Sequence, residues 1–296
     1  MRGQLTLDGL NRAGTADFAA ALGEIFEYSP WVAEAAAARR PYKNLAALRD
    51  AMLASIERAP AEQRLKLIRA HPDLANKAQR ARGLTAHSTH EQDGAGLDRL
   101  SDLEFAMFEQ LNNAYKAKFG FPFMICVRRH TKDSILDAFA RRLNNDPAQE
   151  EKEALTEIAR IASLRLASMI ASEEPLAVHG TLSVHVLDTH RGLPAGGMKF
   201  NLVELSRHGE ERLIADLVTN ADGRTSPEPI EGRPVPIGTY ELRFQAGAYF
   251  AGRGVPLSDP PFLDVIPLRF SVSEPEQHLH VPLLVTPWSY STYRGS

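Results

Sequence analysis

Thr181-Leu182-Ser183-Val184-His185-Val186-Leu187-Asp188 alternates strictly, with Leu182, Val184 and Val186 on one side of an extended chain and Ser183, His185 and Leu187 on the other. A two-residue period marks a half-buried strand. Further segments of this kind follow at 199–206, 211–219, 238–246, 265–272 and 278–286, separated by Gly, Pro and the turn Asn220-Ala221-Asp222-Gly223. The rhythm predicts an antiparallel β-sandwich. In the last segment Leu279, Val281 and Leu283 share one face and His278, His280, Pro282 and Leu284 the other. Two strands therefore turn His185 and His280 off their apolar sides, as a polar site requires; a solvated sheet face gives the same pattern.

Outward from this half the composition changes. Of the 19 prolines, 13 follow residue 174, and the Ala-rich run Ala33–Ala38 lies before it. Proline is poorly tolerated inside helices, so a helical half is expected to precede the β half, and 296 residues suit two cores. Helices are expected from a Thr15 cap to Tyr28, over Pro41–Arg58 and over Ala61–Ala70. Another should run from the capping box Ser101-Asp102-Leu103-Glu104 to Phe119, where Gly120 stops it, followed by helices over Thr131–Leu143 and Pro147–Ala171. Residues 75–100 read as a polar loop. The boundaries are 1–172 for an all-α domain, 173–180 for a linker and 181–296 for the β domain.

The helical half carries its own candidates. His71 precedes Pro72 where a helix ends, and the partial negative charge of a helix C-terminus favours a protonated imidazole, a general acid. An ordinary surface histidine at a helix stop fits the same spacing. Ser88-Thr89-His90-Glu91-Gln92 offers a hydroxyl, a carboxylate and an amide within five residues, suited to a small molecule rich in oxygen and nitrogen, or to a solvated loop. Arg165 falls on the apolar stripe of its helix, seven residues after Ile158, so its charge needs a partner or an anionic ligand. The run Phe119–Val127 is broken by Gly120 and Pro122 and reads as extended backbone; Cys126 within it is a small buried hydrophobe. His87, His90 and Glu91 raise a metal reading, but no His-Glu-x-x-His pattern is present and the single cysteine is distant, so no metal is expected.

The joint order of His71-Pro72-Asp73-Leu74, Ser88-x-x-Glu91-Gln92, Phe119-x-Phe121-Pro122-Phe123 and Arg165 resembles the 2-oxo-4-hydroxy-4-carboxy-5-ureidoimidazoline (OHCU) decarboxylases, a cofactor-free all-α family. The resemblance implies His71 as the catalytic residue, with Pro72, Ser88, Glu91, Gln92 and Arg165 around the substrate and the segment up to Ile125 lending backbone groups. The β half, with His185, His280-Val281-Pro282-Leu283-Leu284 and the terminal Tyr293-Arg294-Gly295-Ser296, is similar to the 5-hydroxyisourate hydrolases, transthyretin-related enzymes of urate breakdown. That resemblance implies a substrate site formed by His185, Arg224, His280, Tyr293, Arg294 and Ser296. A Tyr-Arg pair ending flush with the chain is expected to be docked.

Taken together, the resemblances imply a bifunctional chain that opens 5-hydroxyisourate and decarboxylates the product to (S)-allantoin. They further imply a homo-oligomer, a tetramer through the β domain with dimer contacts through the α domain. A transthyretin-like ligand carrier joined to a helical interaction module, or one active half of two, is the alternative. Net charge is −3 and neither half is strongly basic, so no nucleic-acid partner is expected. No apolar run reaches membrane-spanning length, and one cysteine and an N-terminus without a signal-peptide core point to the cytoplasm.

Overall fold

The computed structural model describes residues 5–74, 97, 100–225 and 234–295. The chain divides into two compact units, Met1–Arg128 with Ile135–Val178, and Arg129–Ser134 with His179–Ser296.

The first unit is built from α1 (Leu7–Arg12), α2 (Thr15–Leu22), α3 (Trp31–Ala37), α4 (Leu45–Glu57), α5 (Ala61–Arg69), α6 (Asp102–Phe119), α7 (Lys132–Arg142, which begins in the second unit) and α8 (Pro147–Met169). Local chemistry sets most of the ends. The Asn44 side chain caps α4, Ser101 and Glu104 close a capping box on α6, Gly120 ends that helix at φ 75°, and Asp146 with Pro147 starts α8. Phe18, Leu22, Leu45, Leu48, Met52, Leu67, Ile158 and Leu166 fill one core, each contributing roughly 1.5–3 kcal/mol by leaving water. Phe123 and Phe139 stack in it with centroids 3.7 Å apart.

Three expectations fail locally. Gly14, not Thr15, occupies the cap position of α2, and the Thr15 hydroxyl instead accepts from Arg40 at 3.2 Å. The helix expected to reach Tyr28 stops at Leu22, because the carbonyls of Glu24 and Ile25 turn to the guanidinium of Arg165. Nor is the unit wholly helical: β1 (Leu5–Thr6) pairs in parallel with β2 (Ile170–Ala171).

The second unit holds β3 (Leu182–Asp188), β4 (Leu193–Pro194), β5 (Lys199–Leu205), β6 (Glu211–Val218), β7 (Gly238–Gln245), the short α9 (Ala246–Ala251), β8 (Val265–Val272), β9 (Leu279–Val285) and β10 (Tyr290–Thr292). They form two four-stranded sheets, ordered β10-β9-β3-β4 and β6-β5-β7-β8. Leu182, Val184, Val186, Val281 and Leu283 of the first sheet and Phe200, Leu202, Leu242, Phe244 and Ile266 of the second make the core. The alternation expected in 181–188 is the one observed, buried at even positions and half-buried at odd ones through Leu187. The ladders are antiparallel except one. β3 pairs with β9 in parallel, setting Ser183 opposite His280 and His185 opposite Pro282.

Among the described residues, no helix is long and apolar enough to cross a membrane.

Candidate functional sites

In the helical unit, α5 ends at Arg69 and the chain turns through His71 and Pro72. Two residues of α6, one turn apart, hold this turn. Asn112 donates through Nδ2 to the Leu74 carbonyl at 2.9 Å, and Lys116 pairs with the buried Asp73 at 2.8 Å. His71 itself is buried, with Nδ1 3.0 Å from the Leu67 carbonyl. A carbonyl only accepts, so Nδ1 carries the hydrogen and Nε2 of the neutral ring keeps its lone pair.

The protonated imidazole expected from the helix end is corrected here. Burial pushes His71 down to about 4; Glu27 and the Leu67 carbonyl pull upward, and Arg165 adds to the fall. Desolvation outweighs the helix terminus because the terminal dipole is worth at most a kcal/mol or two, about one pKa unit.

Arg165 lies on the buried face of α8, where it pairs with the equally buried Glu27 at 3.1 Å and donates to the carbonyls of Ile25 and Glu24 at 3.3 and 3.4 Å. The charge that sequence reasoning flagged as needing compensation has a protein partner. Glu27 carried no signal in the sequence, because it falls near the end of the helix expected over Thr15–Tyr28, where an acidic residue is ordinary, and the observed helix stops at Leu22 before reaching it. Ile125 is buried in the irregular stretch between Pro122 and Cys126. On either side of it Arg142 donates to the Met124 carbonyl and the Cys126 N–H donates to Glu157 at 2.8 Å, which fix its backbone. Pro72 is half-buried beside His71. Ser88, Glu91 and Gln92, with His87, His90 and the rest of the expected polar loop at 75–96, lie outside the described residues.

In the β unit the parallel register sets the histidines on neighbouring strands, His185 on β3 and His280 on β9, with ring centroids 6.4 Å apart. Both are half-buried. The turn Asn220–Gly223 brings Arg224 alongside: the Val186 N–H donates to the Gly223 carbonyl at 2.8 Å, and Arg224 bridges to His185 in antiparallel fashion. Gly223 is required there. Its φ is 72°, and a Cβ would stand 2.3 Å from the Val186 carbonyl oxygen. The tail approaches His280 through a second obligatory glycine: the Gly295 N–H donates to the His280 carbonyl at 3.1 Å, and a Cβ on it would fall 2.4 Å from the imidazole. The tail is therefore docked along β9 as far as Gly295, with Tyr293 exposed and Arg294 donating to Gln277 at 3.0 Å. Ser296 lies outside the described residues.

Burial and the nearby Arg224 hold both imidazoles below the usual histidine range; Asp222 opposes this at His185, and His185 and His278 reinforce it at His280. Neutral imidazoles beside a guanidinium can accept a proton from water and stabilise a developing oxyanion. A cavity of about 510 Å³ opens beside them, bordered by His280, His278, Tyr290, Tyr293, Arg294 and Leu268. His185 and Arg224 do not line it, so His280 stands where the cavity meets the imidazole pair.

Such an arrangement defines a two-site chain, a buried histidine in a helical unit and a histidine–arginine cluster on a transthyretin-like sheet. Residues 11–167 match the OHCU decarboxylase family and residues 182–295 the HIUase/transthyretin family, and the chain belongs to both. It is 42% identical over 170 residues to the 2-oxo-4-hydroxy-4-carboxy-5-ureidoimidazoline decarboxylase of Haloferax volcanii, covering 57% of this chain and 99% of that one. Its β half is 51% identical over 118 residues to 5-hydroxyisourate hydrolase 2 of Rhizobium meliloti, covering 40% of this chain and 97% of the relative. A crystal structure of (S)-allantoin synthase matches 99% of this chain and 100% of its own, with 38% identity and a TM-score of 0.53.

Proposed function

We propose that the chain carries out two consecutive steps of urate degradation, opening 5-hydroxyisourate in the β unit and decarboxylating the resulting OHCU to (S)-allantoin in the helical unit. The observation that carries this reading is the presence of both constellations on separate units of one chain: His71 with Glu27 and Arg165, and His185, Arg224 and His280 with the docked tail. Decarboxylase residues run over 1–172 and hydrolase residues over 181–296, joined by 173–180.

In the hydrolase, an imidazole takes a proton from water as the water oxygen adds to the ring carbonyl, Arg224 faces the oxyanion, Ser296 joins the histidines and Arg224 in the catalytic set, and Tyr293 and Arg294 orient the substrate. In the decarboxylase, Pro72, Ile125, Arg165, Ser88 and Gln92 hold the substrate, and Glu91 acts beside His71 at the reacting atoms. Nε2 of the neutral His71 takes the proton of the substrate's 4-hydroxyl, whose oxygen becomes a ring carbonyl of the product, and returns it to one face of the carbanion left by carbon dioxide. Neither step needs a metal or an organic cofactor. The protein is read as cytoplasmic and as a homo-oligomer, tetrameric through the β unit with further contacts through the helical one.

Freshly made 5-hydroxyisourate, followed by ultraviolet absorbance and optical rotation, tests the assignment. A chiral product formed at the rate of ring opening is expected; racemic product appearing at the spontaneous rate refutes the helical half, and unaccelerated ring opening refutes the β half.

A further inference from the structure

Ser183 faces His280 across the parallel β3–β9 register. Its hydroxyl lies 2.8 Å from His280 Nδ1 and 3.1 Å from His278 Nε2, while His278 Nδ1 is 2.5 Å from the Thr181 hydroxyl. The two rings are 17° from parallel with centroids 6.3 Å apart. A serine hydroxyl has one proton, so it donates to one ring and accepts from the other. Two arrangements satisfy every contact. In the first, His280 Nδ1–H donates to Ser183, Ser183 donates to His278 Nε2 and His278 Nδ1–H donates to Thr181, leaving a lone pair on His280 Nε2. In the second every bond is reversed and His280 Nε2 carries the hydrogen. The first state of His280 is a base and the second an acid, and proton transfers along the chain interconvert them.

We propose that Ser183 and His278 form a proton relay serving His280, Ser183 being the positioning residue that sets the tautomer of His280 and His278 the exposed group that holds the proton between the two halves of the reaction. The relay rests on the reading of the β unit as a 5-hydroxyisourate hydrolase. As the water oxygen bonds to the ring carbonyl carbon, one water proton moves to His280 Nε2. The Nδ1 proton passes to the Ser183 oxygen while the hydroxyl proton passes to His278 Nε2. His280 is then neutral, its Nε2–H aimed at the nitrogen of the C–N bond about to break, and the positive charge sits on His278. When that bond breaks, Nε2 gives its proton to the nitrogen and the relay runs back, restoring the first arrangement. The opened product leaves as a carboxylate, and its remaining proton passes to solvent.

Electrostatics favour moving the charge outward. Arg224 and His185 both oppose a cation on His280, whereas His278 is exposed, where water screens the same repulsion. Among the described residues, Asp222 beside His185, Arg294 on the tail, and Arg269 and Glu274 bordering the cavity are further charged groups around the pair.

The test compares the full-length wild type with Ser183→Ala, Ser183→Thr and His278→Gln, using stopped-flow absorbance on fresh 5-hydroxyisourate across pH 5.5–8.5. Ser183→Ala should lower kcat by at least ~10-fold, a fraction of the 10²–10⁴ that acid–base catalysis supplies, with KM changed less than about twofold and the pH profile displaced. Ser183→Thr, which keeps the hydroxyl, should restore kcat. His278→Gln should lose rate that added imidazole buffer returns. If Ser183→Ala keeps the wild-type kcat and pH profile, or if Ser183→Thr is no better than Ser183→Ala, the relay is wrong while the hydrolase reading stands. A wild type that does not accelerate ring opening overturns both.

Discussion

Replacing Glu27 by Gln keeps the shape of the side chain and removes its charge, taking from Arg165, 3% exposed, the carboxylate it meets at 3.1 Å while its bonds to the carbonyls of Glu24 and Ile25 stay in place. Breaking a buried ion pair in this way costs about 3–5 kcal/mol, because the attraction between the two buried charges, which offset their desolvation, is removed. With a urea dependence of about 2 kcal/mol/M for a unit of this size, the midpoint should fall by roughly 1.5–2.5 M. Fluorescence of Trp31 reports the helical unit once Trp288, the other of the two tryptophans, is changed to Phe. The double variant Glu27→Gln/Arg165→Met removes both charges and should recover most of the loss, since a buried pair contributes little net stability over an apolar replacement. A midpoint that stays within about 0.3 M for Glu27→Gln, or a double variant no more stable than the single one, would show that the pair is solvated and the burial argument unsound.

His71→Ala should abolish decarboxylation while ring opening continues, so that the ureidoimidazoline accumulates in the optical assay; unchanged (S)-allantoin formation would remove His71 from the site. Because His71 is held near 4 in the folded chain against 6.5 in a model peptide, its contribution to stability is fully present above about pH 6.5 and is lost as pH falls toward 4, a span worth roughly 3 kcal/mol. Urea midpoints of the helical unit at pH 7.5 and 4.5 should therefore differ less in His71→Asn than in the wild type, and parallel curves would contradict the burial. Gly295→Ala, which sets a methyl against the His280 ring, should cut ring opening by about tenfold or more through displacement of the tail, with the urea midpoint of the β unit shifted by less than about 0.5 M because the core is untouched. Full activity in that variant would mean that the tail need not approach His280.

Strand and helix patterning was legible because it is local. The β-strands over 182–188, 199–205, 211–218, 238–245, 265–272 and 279–285 fall within a residue of where alternation alone puts them. What alternation cannot carry is the direction in which two strands meet, so the parallel β3–β9 ladder at the centre of an otherwise antiparallel unit was not foreseen. The charge state of His71 was misjudged for a related reason: the helix end is visible in the sequence, while the burial that overrides it depends on the whole unit. His185, Arg224 and His280 were readable as a set through family resemblance, and the structure brings them together. Their supports were readable only in part. Gly223 was visible as a turn residue, but nothing local announces that its missing Cβ lets the turn press against β3, or that the same absence at Gly295 lets the tail reach an imidazole. Ser183 and His278 stood on the right faces, yet their meeting requires the register.

The parallel ladder carries a further consequence. Ser183 and His280 are hydrogen-bonded neighbours separated by 97 positions in sequence, and β5, β6, β7 and β8 all lie between them. Contacts of that span form only after the intervening chain has been organised, and topologies dominated by them fold in milliseconds to seconds. The hydrolytic site is thus the closure of a long loop as much as a cluster of side chains. Substitutions on β6 or β7, distant from any substrate, should change how fast hydrolase activity returns after dilution from denaturant without changing the kcat finally reached.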